Sequence, residues 1–150
     1  MVTLHVKRTI RLPVDQSILL RAAQLTLDLD ITANVSDLSI VVGNDLLLRE
    51  LNLKYRNVDS TTDVLSFPSG EIDPDTQAYY LGDIIISLPR AQEHASSEGH
   101  PLVDELQLLV VHGTLHLLGY DHVESTDKVK MQAAQDNILK QLGLKLINKL

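Results

Sequence analysis

The chain has no cysteine in its 150 residues. Disulfides and thiolate metal sites are therefore excluded, and any metal must sit on His, Asp or Glu. The lack also fits a reducing compartment. Tryptophan is absent and aromatic residues make up 3% of the chain, which argues against a surface built mainly from stacked rings. Long apolar runs are missing too. The most apolar stretch, Leu106 to Leu118, is broken by Gln107, His112, Gly113 and His116, and is too short to span a bilayer. Met1 to Pro13 alternates polar and apolar residues instead of forming a signal core, and no Arg/Ser-rich transit segment precedes it. The expectation is a cytoplasmic protein with no membrane partner.

Basic charge is scarce where it would matter for a polyanion. The net charge is −7, and residues 57–127 hold Arg90 alone against thirteen acids. This balance argues against a binder that coats nucleic acid without regard to sequence, which is usually basic. Contact with RNA would need a local patch, for which Lys7, Arg8 and Arg11, or Arg49, Lys54 and Arg56, are the candidates.

A hydrophobic share of 44% and a charged share of 22% suit one ordinary domain over residues 1–150. Val2, Leu4 and Val6 alternate with polar residues, predicting a half-buried strand with His5 on its solvated side. Asp15 to Asp28 has helical spacing after Pro13. Leu38 to Val42 reads as a buried strand, and Gly43-Asn44-Asp45 opens a helix through about Tyr55. Asp63 to Phe67 reads as a short strand stopped by Pro68, with Ser69 to Gln77 an exposed loop. Leu81 to Ser87 is a third apolar strand, and Ser87 caps a helix to about Ser97. Leu102 to Leu118 is apolar nearly all round, so that helix belongs at the centre. Ser125 or Thr126 caps a last helix, with Met131, Ala134, Ile138 and Leu142 on one face and Gly143 at its end. Strands and helices mix without strict alternation. The fold class expected is α+β, a small mixed β-sheet flanked by helices.

Chemistry concentrates in His112-Gly-Thr-Leu-His116-Leu-Leu-Gly119-Tyr-Asp-His122. Residues four apart on a helix lie about 40° apart around its axis, so His112 and His116 can grip one ion from one face. On a continued helix His122 would lie about 280° past two full turns and point away from His112. Gly119 supplies the residue that can take positive φ and turn the chain back. Three neutral imidazoles suit zinc, one ion per chain, with a fourth position open to water, as in catalytic sites. An isolated histidine on an apolar helix is ordinarily a satisfied core residue. Here three of the six histidines fall within eleven residues of an otherwise apolar element, where unpartnered burial would cost several kcal/mol. The zinc-binding motif on a central buried helix is zincin-like. However, the position of the usual general-base Glu is Gly113, which disfavours peptidase chemistry.

With that substitution, the segment His112 to His122 resembles the signature of the bacterial YbeY-type endoribonucleases, or rRNA maturation factors. Leu51-Asn52 with Tyr55-Arg56, Thr62-Asp63-Val64-Leu65-Ser66-Phe67-Pro68 and Leu81-Gly82-Asp83-Ile84 are similar to further segments of that family, in the same order and spacing. The likeness covers roughly residues 36–145. Thr61 stands where the family commonly has Pro, and nothing is carried over to Glu71–Tyr80. The resemblance implies an α+β fold with the metal on the central helix, and a single-strand-specific, metal-dependent endoribonuclease. It also implies work on the 3′ end of 16S rRNA and in ribosome quality control, with the small ribosomal subunit and its assembly factors as partners. It places the family's functional arginine at Arg56.

Arg56 can hold a phosphate in a bidentate fork, or be a surface ion pair at a helix end. Asp121 is a candidate catalytic carboxylate, either orienting a ligand histidine or capping the turn after Gly119. Asp63 and Asp83 are structural or orient ligands. Ser66 reads as a strand hydroxyl, Phe67 and Tyr120 as core residues, and His94 and His100 as exposed. Two other readings stand beside the nuclease. One is a zinc-stabilised ribosome-assembly module with little or no cleavage activity. The other is a different metallohydrolase.

Overall fold

The computed structural model describes residues 1–33 and 35–145. Four strands form one sheet: β1 (Val2–Val6), β2 (Asp37–Gly43), β3 (Val64–Ile72) and β4 (Tyr79–Ser87). Five helices join them: α1 (Gln16–Leu27), α2 (Asp45–Arg56), α3 (Leu88–Glu98), α4 (Leu102–Leu117) and α5 (Ser125–Gln141). The sheet order is β1-β2-β4-β3. β1, β2 and β4 run parallel, while β3 runs antiparallel to β4 at the edge. The sheet is thus mixed and flanked by helices, as the sequence pattern predicts.

Strand alternation divides the molecule. Leu38, Ile40 and Val42 of β2 and Ile84 and Ile86 of β4 face a large core built with α1, α3, α4 and α5. Ile85, Leu65 and Phe67 face the other way and pack with Leu48 of α2 in a smaller cluster. Helix α4 lies at the heart of the large core, with Leu106, Val110, Val111 and Leu115 fully buried. Each of its buried leucines stabilises the fold by roughly 1.5–3 kcal/mol.

The caps follow from side chains. Asp15, Asn44 and Ser87 accept backbone N–H groups at the starts of α1, α2 and α3. Two expectations are corrected. Helix α5 begins one residue earlier, with Glu124 at its cap position and no side-chain cap bond from Ser125 or Thr126. β3 is not stopped by Pro68 but continues to Ile72, pairing Glu71 with Tyr80 and Ile72 with Tyr79. An edge strand leaves one row of N–H groups without a ladder partner, so proline fits there, and a register shift follows it. The turn expected from Ser69 narrows to Asp73–Ala78, where Asp73 Oδ1 accepts from the N–H groups of Asp75 and Thr76. Among the described residues no helix is long and apolar enough to cross a membrane.

Candidate metal centre and the cleft around it

Helix α4 ends in a Schellman turn. Leu118 is the C-cap, Gly119 takes φ +99°, the N–H of Tyr120 reaches the carbonyl of Leu115 (3.0 Å), and that of Gly119 reaches His116 (3.0 Å). The chain then doubles back. Asp121 Oδ1 accepts the N–H groups of His122 (2.6 Å) and Val123 (3.3 Å), fixing the bend that aims His122 at the helix. One ring nitrogen of each of His112, His116 and His122 lies within 4.8 Å of the others.

Two of the rings are held by their outer nitrogens. His112 Nδ1 is 3.1 Å from Gln135 Oε1, and His116 Nδ1 is 3.1 Å from the Tyr120 carbonyl. Both oxygens can only accept, so each Nδ1 carries the proton and each Nε2 of a neutral ring carries a lone pair. Those two Nε2 atoms face each other at 3.1 Å. Two lone pairs so close repel unless a cation stands beside both. Nitrogens bound about 2.0–2.1 Å from a tetrahedral ion lie roughly 3.3 Å apart, close to the spacing found. Protonation is opposed: burial, then the neighbouring His112 and His122, push His116 down to about 4. His112 is lowered mainly by burial as well, although its bond to Gln135 and the field of Asp63 act the other way. The residues fit a metal ion better than a proton.

Gly113 explains why no zincin glutamate is present. A Cβ there would come within 2.9 Å of Ile84 Cγ2 and 3.2 Å of Ser66 Oγ. The helix is pressed against β3 and β4 at this point, and the Ser66 hydroxyl donates to the Gly113 carbonyl at 3.1 Å. A glutamate would be driven into the sheet.

The histidines form one wall of a cleft of about 590 Å³, whose other wall is the edge strand β3 with Ser66 and the residue just before it, Asp63, and whose lip carries Arg56. Arg56 is exposed at the last position of α2 and makes no ion pair among the described residues. The ion pairs made by this helix lie elsewhere, Arg49 with Asp59 at 2.7 Å and Asp45 with Arg90 at 3.5 Å. Asp121 and Val123 also line the cleft.

The remaining candidates separate. Asp63 lines the cleft and lies 3.5 Å from the half-exposed His94. Asp83 does not orient a ligand. It faces the opposite side of the sheet and bonds to the Tyr80 hydroxyl, which also lies 2.8 Å from Ser39 Oγ. Phe67 and Tyr120 are half-buried against the two cores, as expected. His100 is not exposed. Only 11% of its side chain is accessible, and it bonds at 2.7 Å to Glu105, itself 4% accessible. The pair bridges the α3–α4 turn across Pro101, a spacing outside helical periodicity.

The family model for Endoribonuclease YbeY matches residues 6–143. The chain belongs to the YbeY endoribonuclease family. Among curated YbeY endoribonucleases, that of Moorella thermoacetica is 46% identical over 75% of this chain and 77% of its own length. The Roseiflexus relative is 42% identical over 87% and 86%, and that of Desulfitobacterium hafniense 47% over 73% of each. The fold is shared with the solution structure of TM1509 from Thermotoga maritima, at a TM-score of 0.63 and 23% identity, covering 95% of this chain and 89% of that one. Within this YbeY site, sequence reasoning missed Gln135. The sequence offered only its place at helical spacing between Met131 and Ile138, which the structure shows to be the fully buried inner face of α5.

Proposed function

We propose that this chain is a single-domain, zinc-dependent, single-strand-specific endoribonuclease. Its proposed work is 16S rRNA 3′-end maturation on the small ribosomal subunit, in the cytoplasm and alongside assembly factors. The observation that carries the reading is the facing pair of Nε2 lone pairs at 3.1 Å, in a cleft whose lip presents an unpaired arginine.

His112, His116 and His122 would hold one ion. Bound zinc supplies Lewis acidity toward a phosphoryl oxygen and an acidified water. The chain's own residues do the rest. Gln135 and the Tyr120 carbonyl keep two imidazoles in the tautomer that presents Nε2. Asp121 shapes the bend that brings in His122, acting through the backbone. Arg56, with no carboxylate paired to it among the described residues, would grip a non-bridging phosphate pair and fix the scissile group beside the histidines. The rest of the cleft lining comes from the acid-rich stretch 57–127 and includes Asp63 and Asp121, so among the described residues Arg56 is the one Lys or Arg on the lining that can draw a phosphate in.

The test is cleavage of a single-stranded 3′-terminal fragment of 16S rRNA. Wild type should cut it, not its duplex form, and chelator should stop the reaction. His116→Ala and Arg56→Glu should both be inactive. Folded variants cutting at wild-type rates would contradict the reading.

A further inference from the structure

Beside the cleft lip lies an aromatic surface that the ion-binding and phosphate-binding groups do not use. Tyr55, the residue before Arg56, is 59% exposed, a high value for a ring in a chain so poor in aromatics. Its hydroxyl makes no hydrogen bond among the described residues, so the side chain is not anchored there as a polar group. The ring is nevertheless held. Phe67 packs against it with centroids 5.3 Å apart and planes tilted by 60°. Phe67 is itself seated in the cluster of Leu48, Leu65 and Ile85 that fastens α2 to the sheet. The Lys54 ammonium lies over the Tyr55 ring at 5.1 Å, so a flat face of the ring is reached from solvent and is not packed away.

Placement connects this surface to the cleft. Leu65, Ser66 and Pro68, which flank Phe67 on β3, line the cleft, and so does Arg56. Phe67 and the ring it braces lie on the α2 face of the sheet, so a strand that leaves the histidines over the edge of β3 toward that face meets Tyr55 beside Arg56.

We propose that Tyr55, braced by Phe67, is the stacking platform for an unpaired base adjacent to the phosphate held by Arg56. This rests on the reading of the cleft as an RNA site. A base would replace the Lys54 ammonium on the ring, and the flexible lysine would then be free to meet a neighbouring phosphate. The platform also supplies a physical source of strand selectivity. In a duplex both faces of every internal base are already stacked, so only single-stranded RNA can offer a face to Tyr55.

The experiment uses the metal-loaded full chain and a short single-stranded RNA carrying 2-aminopurine, with binding followed by anisotropy and stacking by fluorescence quenching. Wild type should quench the probe. Tyr55→Ala should lose the quenching and bind about tenfold more weakly. Tyr55→Leu keeps an apolar contact with Phe67 but removes the π face, and should fail in the same way. Tyr55→Phe, which retains the ring, should restore the quenching. If wild type binds and cuts RNA and both ring-deleted variants match it, the platform is wrong and the nuclease reading survives. If wild type neither binds nor cuts RNA, both fall together.

Discussion

His112 and His116 differ from His122 in how they are held. The first two stand on a buried helix, with their outer nitrogens tied to Gln135 and to the Tyr120 carbonyl. The third stands on an exposed bend shaped by one aspartate through the backbone. The helix therefore sets the position and direction of the site, while the bend closes it. A histidine pair preorganised in one tautomer would have little orientational freedom left to lose on binding an ion, whereas the third histidine needs the Schellman turn to arrive at all.

The largest expected effect comes from deleting a member of the held pair. His116→Ala should abolish both metal retention and RNA cleavage, read by metal content per chain and a gel assay. Arg56→Glu should separate the two functions. Loss of a charge-assisted bond worth about 1.5–3 kcal/mol, with charge repulsion at the same place, should abolish detectable cleavage while zinc content stays at one per chain. Gln135→Leu sharpens the comparison. It leaves all three ligands in place but frees the His112 ring, and should weaken zinc affinity about 10- to 100-fold in a competition titration with a chelating dye. Asp121→Ala, on the looser side, removes a turn cap worth about 1 kcal/mol, so its effect on affinity should be only about fivefold. If Asp121→Ala weakens zinc more than Gln135→Leu does, the contrast between held pair and closing arm is reversed.

A separate effect falls on the stability of the metal-free protein. The His116 ring titrates near 6.5 when unfolded and near 4 when folded. Between these values the unfolded chain binds the additional proton, so stability should fall as the pH drops from about 6.5 to about 4 and level off below. Thermal melts of chelator-stripped protein should show this slope, and His116→Asn should flatten it.

The clustering of His112, His116 and His122 was legible in the sequence because three histidines and a turn-forming glycine obey helix geometry, and local geometry is what sequence spacing encodes. β1 was legible through its period of two, and β2 and β4 as short apolar runs. Gln135 was not, because its partner His112 lies twenty-three residues away on another helix, and nothing local marks such a pairing. The buried His100–Glu105 pair escaped for a similar reason, since it forms across a turn and not along a helix face. Pro68 misled because proline ends a central strand but not an edge strand, and edge position belongs to topology. Gly113 was noticed for the carboxylate it lacks. Its physical cause, a helix pressed against Ile84 and Ser66, appears only once α4 meets the sheet.

The most direct test of the metal centre is X-ray absorption at the zinc edge of the loaded protein. Three imidazole nitrogens at about 2.0–2.1 Å and one further light ligand that exchanges with added anions are expected. Fewer than three imidazoles, or a fourth shell position filled by a protein side chain that no anion displaces, would contradict a catalytic site.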